Sequence, residues 1–251
     1  MADIIVPAIQ QAIKLITSGN PEVYATIYRT IYVAGLGTLL SCLWSIPIAV
    51  FLGLYNFKGK WVIKGIFNAL IGIPTVALGL ILFLLLSRQG EFGFLNLLYT
   101  LNGIAIGQAI LVTPIIVSFT ANALANSDSQ LKDLAKTLGA SGLRTNLTLI
   151  RETFWSMILS VTAAFNRGFG ELGIATIIGG SLAGETRVLT TSITLEINRG
   201  SFDVAMAYGL ILMAIVIVLA LTVSLVERIK NENVSRESIS FWRMYRRKLK
   251  Q

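Results

Sequence analysis

Arg167 and Glu171 have the strongest claim to chemistry, because they stand four residues apart inside an otherwise apolar stretch, 154–178. At i, i+4 on a helix a guanidinium and a carboxylate face one another and pair. Counting from Phe154, a continuous helix places Arg167 about 20 Å along its axis, deep in a bilayer or in its outer half. Ionisable groups at that depth cost about 3 kcal/mol on a lipid-facing surface, so they turn toward a bundle interior or a water-filled cavity. Spacing alone leaves two uses open: Arg167 faces a pathway, or the pair locks two spans together. Gly168, Gly170 and Gly173 around the pair permit a helix break or a close helix contact.

Other residue types exclude more than they suggest. Histidine is absent, which removes His-based general bases, Ser-His-Asp or Cys-His triads and His-ligated metals. The single cysteine, Cys42, forms neither an intrachain disulfide nor a multi-cysteine metal site. Gly72-Ile73-Pro74-Thr75 and Thr113-Pro114 place kinks and hydroxyls within apolar runs, where freed backbone groups are re-satisfied by packing or line a cavity. Thr75 is therefore a candidate for the pathway. Thr190, Thr191 and Thr194 precede the last apolar run, and either line an outer vestibule or cap a short helix.

The elements that position these residues are membrane spans. Of the 251 residues 54% are hydrophobic and 14% charged, with a mean hydropathy of +0.72. The net charge of +8 therefore points to a lipid surface rather than to nucleic acid. Five runs approach the roughly 20 apolar residues that a helix needs to cross a bilayer: 30–55, 66–86, 101–123, 154–178 and 204–226. Only the fourth carries charges. The expectation is an all-α polytopic membrane protein with five transmembrane helices. Lys58, Lys60 and Lys64, then Lys132, Lys136, Arg144 and Arg151, then the basic residues from Arg228 to Lys250 fall on one side. Lys14, Arg29, Arg88, Arg187 and Arg199 fall on the other, which puts the N-terminus outside and the C-terminus in the cytoplasm.

Three regions follow: an outer interfacial helix and lead-in at 1–29, a transmembrane domain at 30–226 and a basic cytoplasmic tail at 227–251, an anchor near anionic lipid. In the first, Ile5, Ile9, Ile13 and Ile16 recur at helical spacing, so 4–17 is expected to lie on the outer surface. A cleavable leader is not expected, since Asp3, Pro7 and Lys14 interrupt the apolar core that one requires. Internal repeats are not evident, and five spans do not divide into equal halves, which disfavours a self-sufficient secondary carrier.

The first half of the loop 126–152, on the cytoplasmic side, reads as a short helix. Ser127 and Gln130 fit a capping box, while Asp128 and Asp133 set negative charge near the positive helix end. Leu131, Leu134, Ala135 and Leu138 form one apolar stripe, and Gly139, then Gly142, stop the helix. A helix this short is marginal in water, so the stripe needs a partner: the protein's own spans or a groove on another subunit.

Asp133-Leu134-Ala135-Lys136-Thr137-Leu138-Gly139-Ala140-Ser141, with Arg144-Thr145 following, resembles the EAA loop of ABC importer permeases. Asp133 matches the acidic position, Ala135 the second small position and Gly139 the glycine; Leu134 stands where the first alanine is usual. Asn166-Arg167-Gly168-Phe169-Gly170-Glu171-Leu172-Gly173 resembles the Arg-x-x-Gly-Glu-x-Gly segment of the molybdate, sulfate and tungstate permeases. Gly179-Gly180-Ser181 and Gly184-Glu185-Thr186-Arg187-Val188-Leu189-Thr190-Thr191 look most like the tungstate branch.

That resemblance implies the permease subunit of an ATP-driven importer of an oxyanion, tungstate first and molybdate or sulfate as alternatives, in a prokaryotic cytoplasmic membrane. It implies as partners a second copy of this chain, two ABC ATPase subunits and an extracytoplasmic oxyanion-binding protein. It assigns ATPase coupling to Asp133, Leu134, Ala135, Leu138, Gly139 and Arg144, and the pathway or gate to Arg167, Glu171, Thr75, Thr190 and Thr191. No catalytic residue, metal or cofactor is expected in this chain. A phosphate-binding G-x-x-x-x-G-K-[ST] loop is missing, since Gly59-Lys60 is followed by Trp61 and Leu54 holds the first glycine position. ATP and Mg therefore belong to the partner ATPase. An ATP-independent channel or carrier is the rival from another class.

Overall fold

The computed structural model of the chain describes residues 2–127, 137 and 141–248, the side chains at 2–5, 8 and 226–248 excepted. Its elements are α1 (Ala2–Thr17), α2 (Pro21–Leu54), α3 (Lys60–Leu70), α4 (Thr75–Leu86), a 3-10 turn (Gly93–Leu95), α5 (Leu101–Ala125), α6 (Gly142–Glu152), α7 (Phe154–Phe169), α8 (Gly173–Gly179), α9 (Leu189–Asn198) and α10 (Phe202–Lys248). The regular structure among the described residues is helical throughout, as the composition led one to expect.

The Asn20 side chain starts α2 by accepting the Glu22 N–H at 2.9 Å, and Pro21 follows where a missing N–H costs nothing. Its 34 residues reach about 51 Å, longer than a hydrocarbon core of about 30 Å. Tyr24, Tyr28 and Tyr32 are exposed near its start, and Phe51 and Tyr55 near its end. Tyr28 and Tyr55 stand about 40 Å apart along the helix, the spacing of two membrane–water interfaces.

Helix α5 is the centre of the bundle. Thr100 caps it by accepting the Gly103 N–H at 3.0 Å, and Ile104, Ala105, Ala109, Ile116 and Val117 are wholly buried. Against α2 the backbones approach closely: a Cβ on Gly37 would stand 2.9 Å from the Ala105 carbonyl oxygen, and one on Gly53 2.6 Å from the Leu124 Cβ. Small residues at such crossings are how membrane helices associate where no hydrophobic force drives them together. Thr113, before Pro114, accepts the Trp44 indole N–H at 2.7 Å and lies 3.0 Å from the Ser41 hydroxyl. The polar atoms of the Thr113-Pro114 kink are thus used in packing.

Two expected spans are broken. The run 66–86 is divided between α3 and α4, which are bent by 98° at Gly72 and Pro74. A residue before proline is pushed out of the helical region, so α3 cannot run through Ile73, and Pro74 opens α4 instead. The run 154–178 stops at Phe169 and resumes at Gly173. Among the described residues three helices, α2, α5 and the Phe202–Leu225 part of α10, are long and apolar enough to cross a membrane, and the bent pair supplies at most a fourth.

Helix α1 is present where a helix at 4–17 was expected. Ala12 is buried against Leu189, Ala207 and Ile211, with Leu15 beside it, whereas Ile9, Ile13 and Ile16 are exposed. Gly142 does not end a helix; it is the first residue of α6. Helix α10 continues past residue 226 through the basic tail.

Candidate transport site

The site grows from the break after α7. Gly170 caps that helix, its N–H donating to the Asn166 carbonyl at 3.3 Å, and the Glu171 N–H bonds the Gly168 carbonyl at 3.1 Å. The chain thereby turns, and the Glu171 carboxylate becomes the acceptor for the start of α8. Its Oε1 takes the Gly173 N–H at 2.8 Å and the Ile174 N–H at 3.4 Å. Its Oε2 takes a guanidinium N–H of Arg167 at 2.7 Å. A carboxylate at a helix start satisfies orphan donors and favours the positive end of the dipole.

Burial separates the two partners. The Glu171 side chain is 2% exposed and that of Arg167 39%. Glu171 is the buried half, and Arg167 presents the rest of its guanidinium to a recess of about 520 Å³. Thr75, at the start of α4, lines the same recess with Gly173, Thr176 and Thr194. Helices α4 and α8 meet there at contact distance, because a Cβ on Gly173 would stand 2.8 Å from the Thr75 hydroxyl and 3.1 Å from the Val76 nitrogen. Only glycine permits that approach.

Helix α9 closes the arrangement. The Thr190 hydroxyl, buried, donates to the Glu171 carbonyl at 2.9 Å and so fixes the backbone that carries the carboxylate. Thr191 does something else. Its hydroxyl accepts the Val188 N–H at 3.1 Å and donates to the Val188 carbonyl at 3.0 Å, which makes it a cap for α9 and not a lining residue. Thr30 of α2 accepts the Leu189 N–H at 2.9 Å, tying α9 to the first long helix.

Of the residues expected in the pathway, Thr75, Arg167 and Glu171 come together at the recess, Thr190 holds the Glu171 carbonyl, and Thr191 bonds Val188 at the start of its own helix. The coupling candidates Asp133, Leu134, Ala135, Leu138 and Gly139 lie outside the described residues; Arg144 is exposed in the first turn of α6, and Thr137 is helical and exposed. Sequence reasoning passed over Thr176 and Gln108. Gln108 is 4% exposed in the middle of α5, and its Oε1 would stand 3.5 Å from a Cβ on Gly168. An uncharged amide inside an apolar run was the signal for it, since buried polar groups in a span are costly. Among the described residues no group of three or more His, Cys, Asp and Glu is placed to hold a metal ion.

The family model for the binding-protein-dependent transport system inner membrane component matches residues 45–234, which takes in α3 through α9 and the whole of the recess. The chain belongs to that family. This permease is 36% identical to the tungstate uptake system permease protein TupB of Peptoclostridium acidaminophilum over 204 residues, 81% of this chain and 90% of the relative. It is 34% identical to the protein of the same name from Campylobacter jejuni, over 85% of this chain and 89% of the relative. A probable anion ABC transporter permease of Haloferax volcanii is 32% identical over 75% of this chain and 83% of the relative. The permease is therefore a membrane component of a transport system, whose relatives leave ATP hydrolysis to separate subunits.

Proposed function

We propose that this chain is the permease subunit of an ATP-driven importer that moves an oxyanion, tungstate in the first place, into the cytoplasm. The observation that carries the reading is the pairing of that family with relatives named for tungstate uptake over most of both chains. Relatives named for sulfate and molybdenum transport are less similar, which ranks those anions second. The recess supports an anionic substrate, because Arg167 is its cationic lining residue and keeps donors to spare after pairing with Glu171, which lines it as well.

Two copies surround one pathway across a twofold axis, two ATPase subunits sit beneath them, and an extracytoplasmic binding protein delivers the anion. The chain crosses the membrane five times with its N-terminus outside, the broken run 154–178 counting as one crossing with its break at the recess. In this reading Leu134, Ala135 and Leu138 dock in a groove of the ATPase beside Asp133 and Arg144, and Gly139 allows the close approach and the turn that follows. ATP-driven closure of the two ATPases brings the docked helices together and moves α7 with its arginine.

Competition separates the anions. Uptake of tungstate by the complete complex is expected to fall with excess molybdate more than with excess sulfate; a sulfate preference would reassign the substrate. Gly139→Asp adds a carboxylate at the docking turn, so it is expected to leave the chain inserted while reducing ATP-driven uptake about 10-fold or more, for the loss of a desolvated contact. Normal ATPase stimulation in that variant would remove 131–139 from the coupling role.

A further inference from the structure

The geometry points to a station for a single tetrahedral dianion in the Arg167 recess, held by the guanidinium and by the hydroxyls of Thr75, Thr176 and Thr194, and kept weak by Glu171. The inference rests on the transport reading above and adds to it a place, a ligand set and a reason for rapid release.

Arg167 carries five N–H donors in a planar fork. One nitrogen is engaged at 2.7 Å by Glu171, and 39% of the side chain stays exposed on the recess side. The remaining donors match the oxygens of a tetrahedral anion, a geometry that guanidinium groups recognise in pairs of parallel bonds. Thr75, Thr176 and Thr194 come from three different helices, α4, α8 and α9, and line the same recess. Thr194 donates to the Thr190 carbonyl at 3.3 Å, a long bond that a nearby anion can outcompete. A volume of about 520 Å³ leaves room for the anion together with water, so the station holds without sealing.

Glu171 sets the strength. Its carboxylate lies against Arg167, so the pair is close to neutral and a dianion meets attraction from one end of the guanidinium only. Were Arg167 unpaired, the anion would bind tightly and leave slowly, which a conduit cannot tolerate. Glu171 is itself secured by the Gly173 and Ile174 N–H groups and by Thr190 holding its carbonyl, so engagement of Arg167 by a substrate does not strip the carboxylate of partners.

The test uses the permease assembled with its ATPase, in a Cys42→Ser background with Leu172→Cys as reporter at the rim of the recess. The rate of thiol labelling by a charged methanethiosulfonate is followed as tungstate is added. Tungstate is expected to slow labelling. Glu171→Gln, whose amide oxygen still accepts the Gly173 N–H, is expected to lower the half-protecting concentration about 10-fold while uptake slows, since one unit of opposing charge has gone. Arg167→Gln is expected to abolish protection. Thr194→Val, which leaves the ion pair intact, is expected to raise the half-protecting concentration about 10-fold, as for a lost hydrogen bond to a charge. Protection that survives Arg167→Gln, or that neither Glu171→Gln nor Thr194→Val shifts, would overturn the station. A wild-type complex that imports tungstate while failing those tests removes this inference alone. A complex that imports no oxyanion removes the transport reading beneath it.

Discussion

Arg167→Ala is expected to abolish ATP-driven uptake and to cost the folded permease about 3–5 kcal/mol, the penalty for leaving a buried charge without its partner. Glu171 is 2% exposed, so with the guanidinium removed its Oε2 depends on the water that the recess admits. Glu171→Ala is expected to cost less, about 1–3 kcal/mol, although it too stops transport. The arginine it strands is 39% exposed and can be solvated, and the main loss is the acceptor for the Gly173 and Ile174 N–H groups. The double exchange Arg167→Glu with Glu171→Arg restores opposite charges but points a donor at two backbone donors. It is expected to assemble less well than wild type and not to transport. Thermal unfolding in detergent and uptake by proteoliposomes give the two readings separately. Equal stability of the two alanine variants would contradict the asymmetry between a buried carboxylate and a half-exposed guanidinium, and full transport by the double exchange would contradict a role for Arg167 in the recess.

Gly103→Val is expected to prevent assembly of a stable permease. A Cβ at that position would collide with the Leu97 carbonyl oxygen and stand 2.9 Å from its carbonyl carbon, with the Ile178 Cγ2 at 3.3 Å on the other side. The first two obstacles are backbone, so relief requires the segment before α5 to move. That segment carries Tyr99 at φ 59°, whose N–H bonds the Ile178 carbonyl at 2.8 Å, so the displacement passes into α8 and the recess. Overpacking of this kind costs about 3 kcal/mol or more, near the top of what single substitutions do. Gly35→Ala is the control. Nothing lies within 4 Å of its added methyl group, and in the interior of α2 the change is expected to be neutral or stabilising by up to about 1 kcal/mol. Expression and unfolding midpoints of the two variants decide the matter: similar behaviour would mean that the Leu97 turn is looser than its contacts imply.

The apolar run 101–123 became α5 almost residue for residue: a threonine cap starts it, and Gly103, Gly107 and Pro114 are absorbed within one helix, the two glycines by close packing against Leu97 and Ile174. The run 66–86 was just as apolar and folded differently. Hydropathy reports what a segment tolerates around it and carries no direction, so the Gly72 and Pro74 signals announced a break without its 98° angle, which is set by packing against α5 and α8. Arg167 and Glu171 were legible as a pair from their spacing, and the pairing is real at 2.7 Å. Its geometry was not legible. The i, i+4 rule assumes one helix, whereas here the helix ends between the two and Glu171 caps the next. Thr176 joins the recess through contacts between helices far apart in sequence, and no local pattern marks it, whereas Thr194 stood out with Thr190 and Thr191 before the last apolar run. Thr191 shows the reverse case: a hydroxyl at a helix start had two available uses, and the capping use prevailed because Val188 offered both a donor and an acceptor within reach.

A conduit of this kind is passive until a separate ATPase works it. The most direct measurement is accumulation of labelled tungstate inside proteoliposomes that contain this permease, ATP in the lumen and the oxyanion-binding protein outside, prepared with and without the ATPase subunits. Accumulation only when the ATPase is present, and lost when its ATP is replaced by a non-hydrolysable analogue, is the predicted result. Equal accumulation by the permease alone would contradict it.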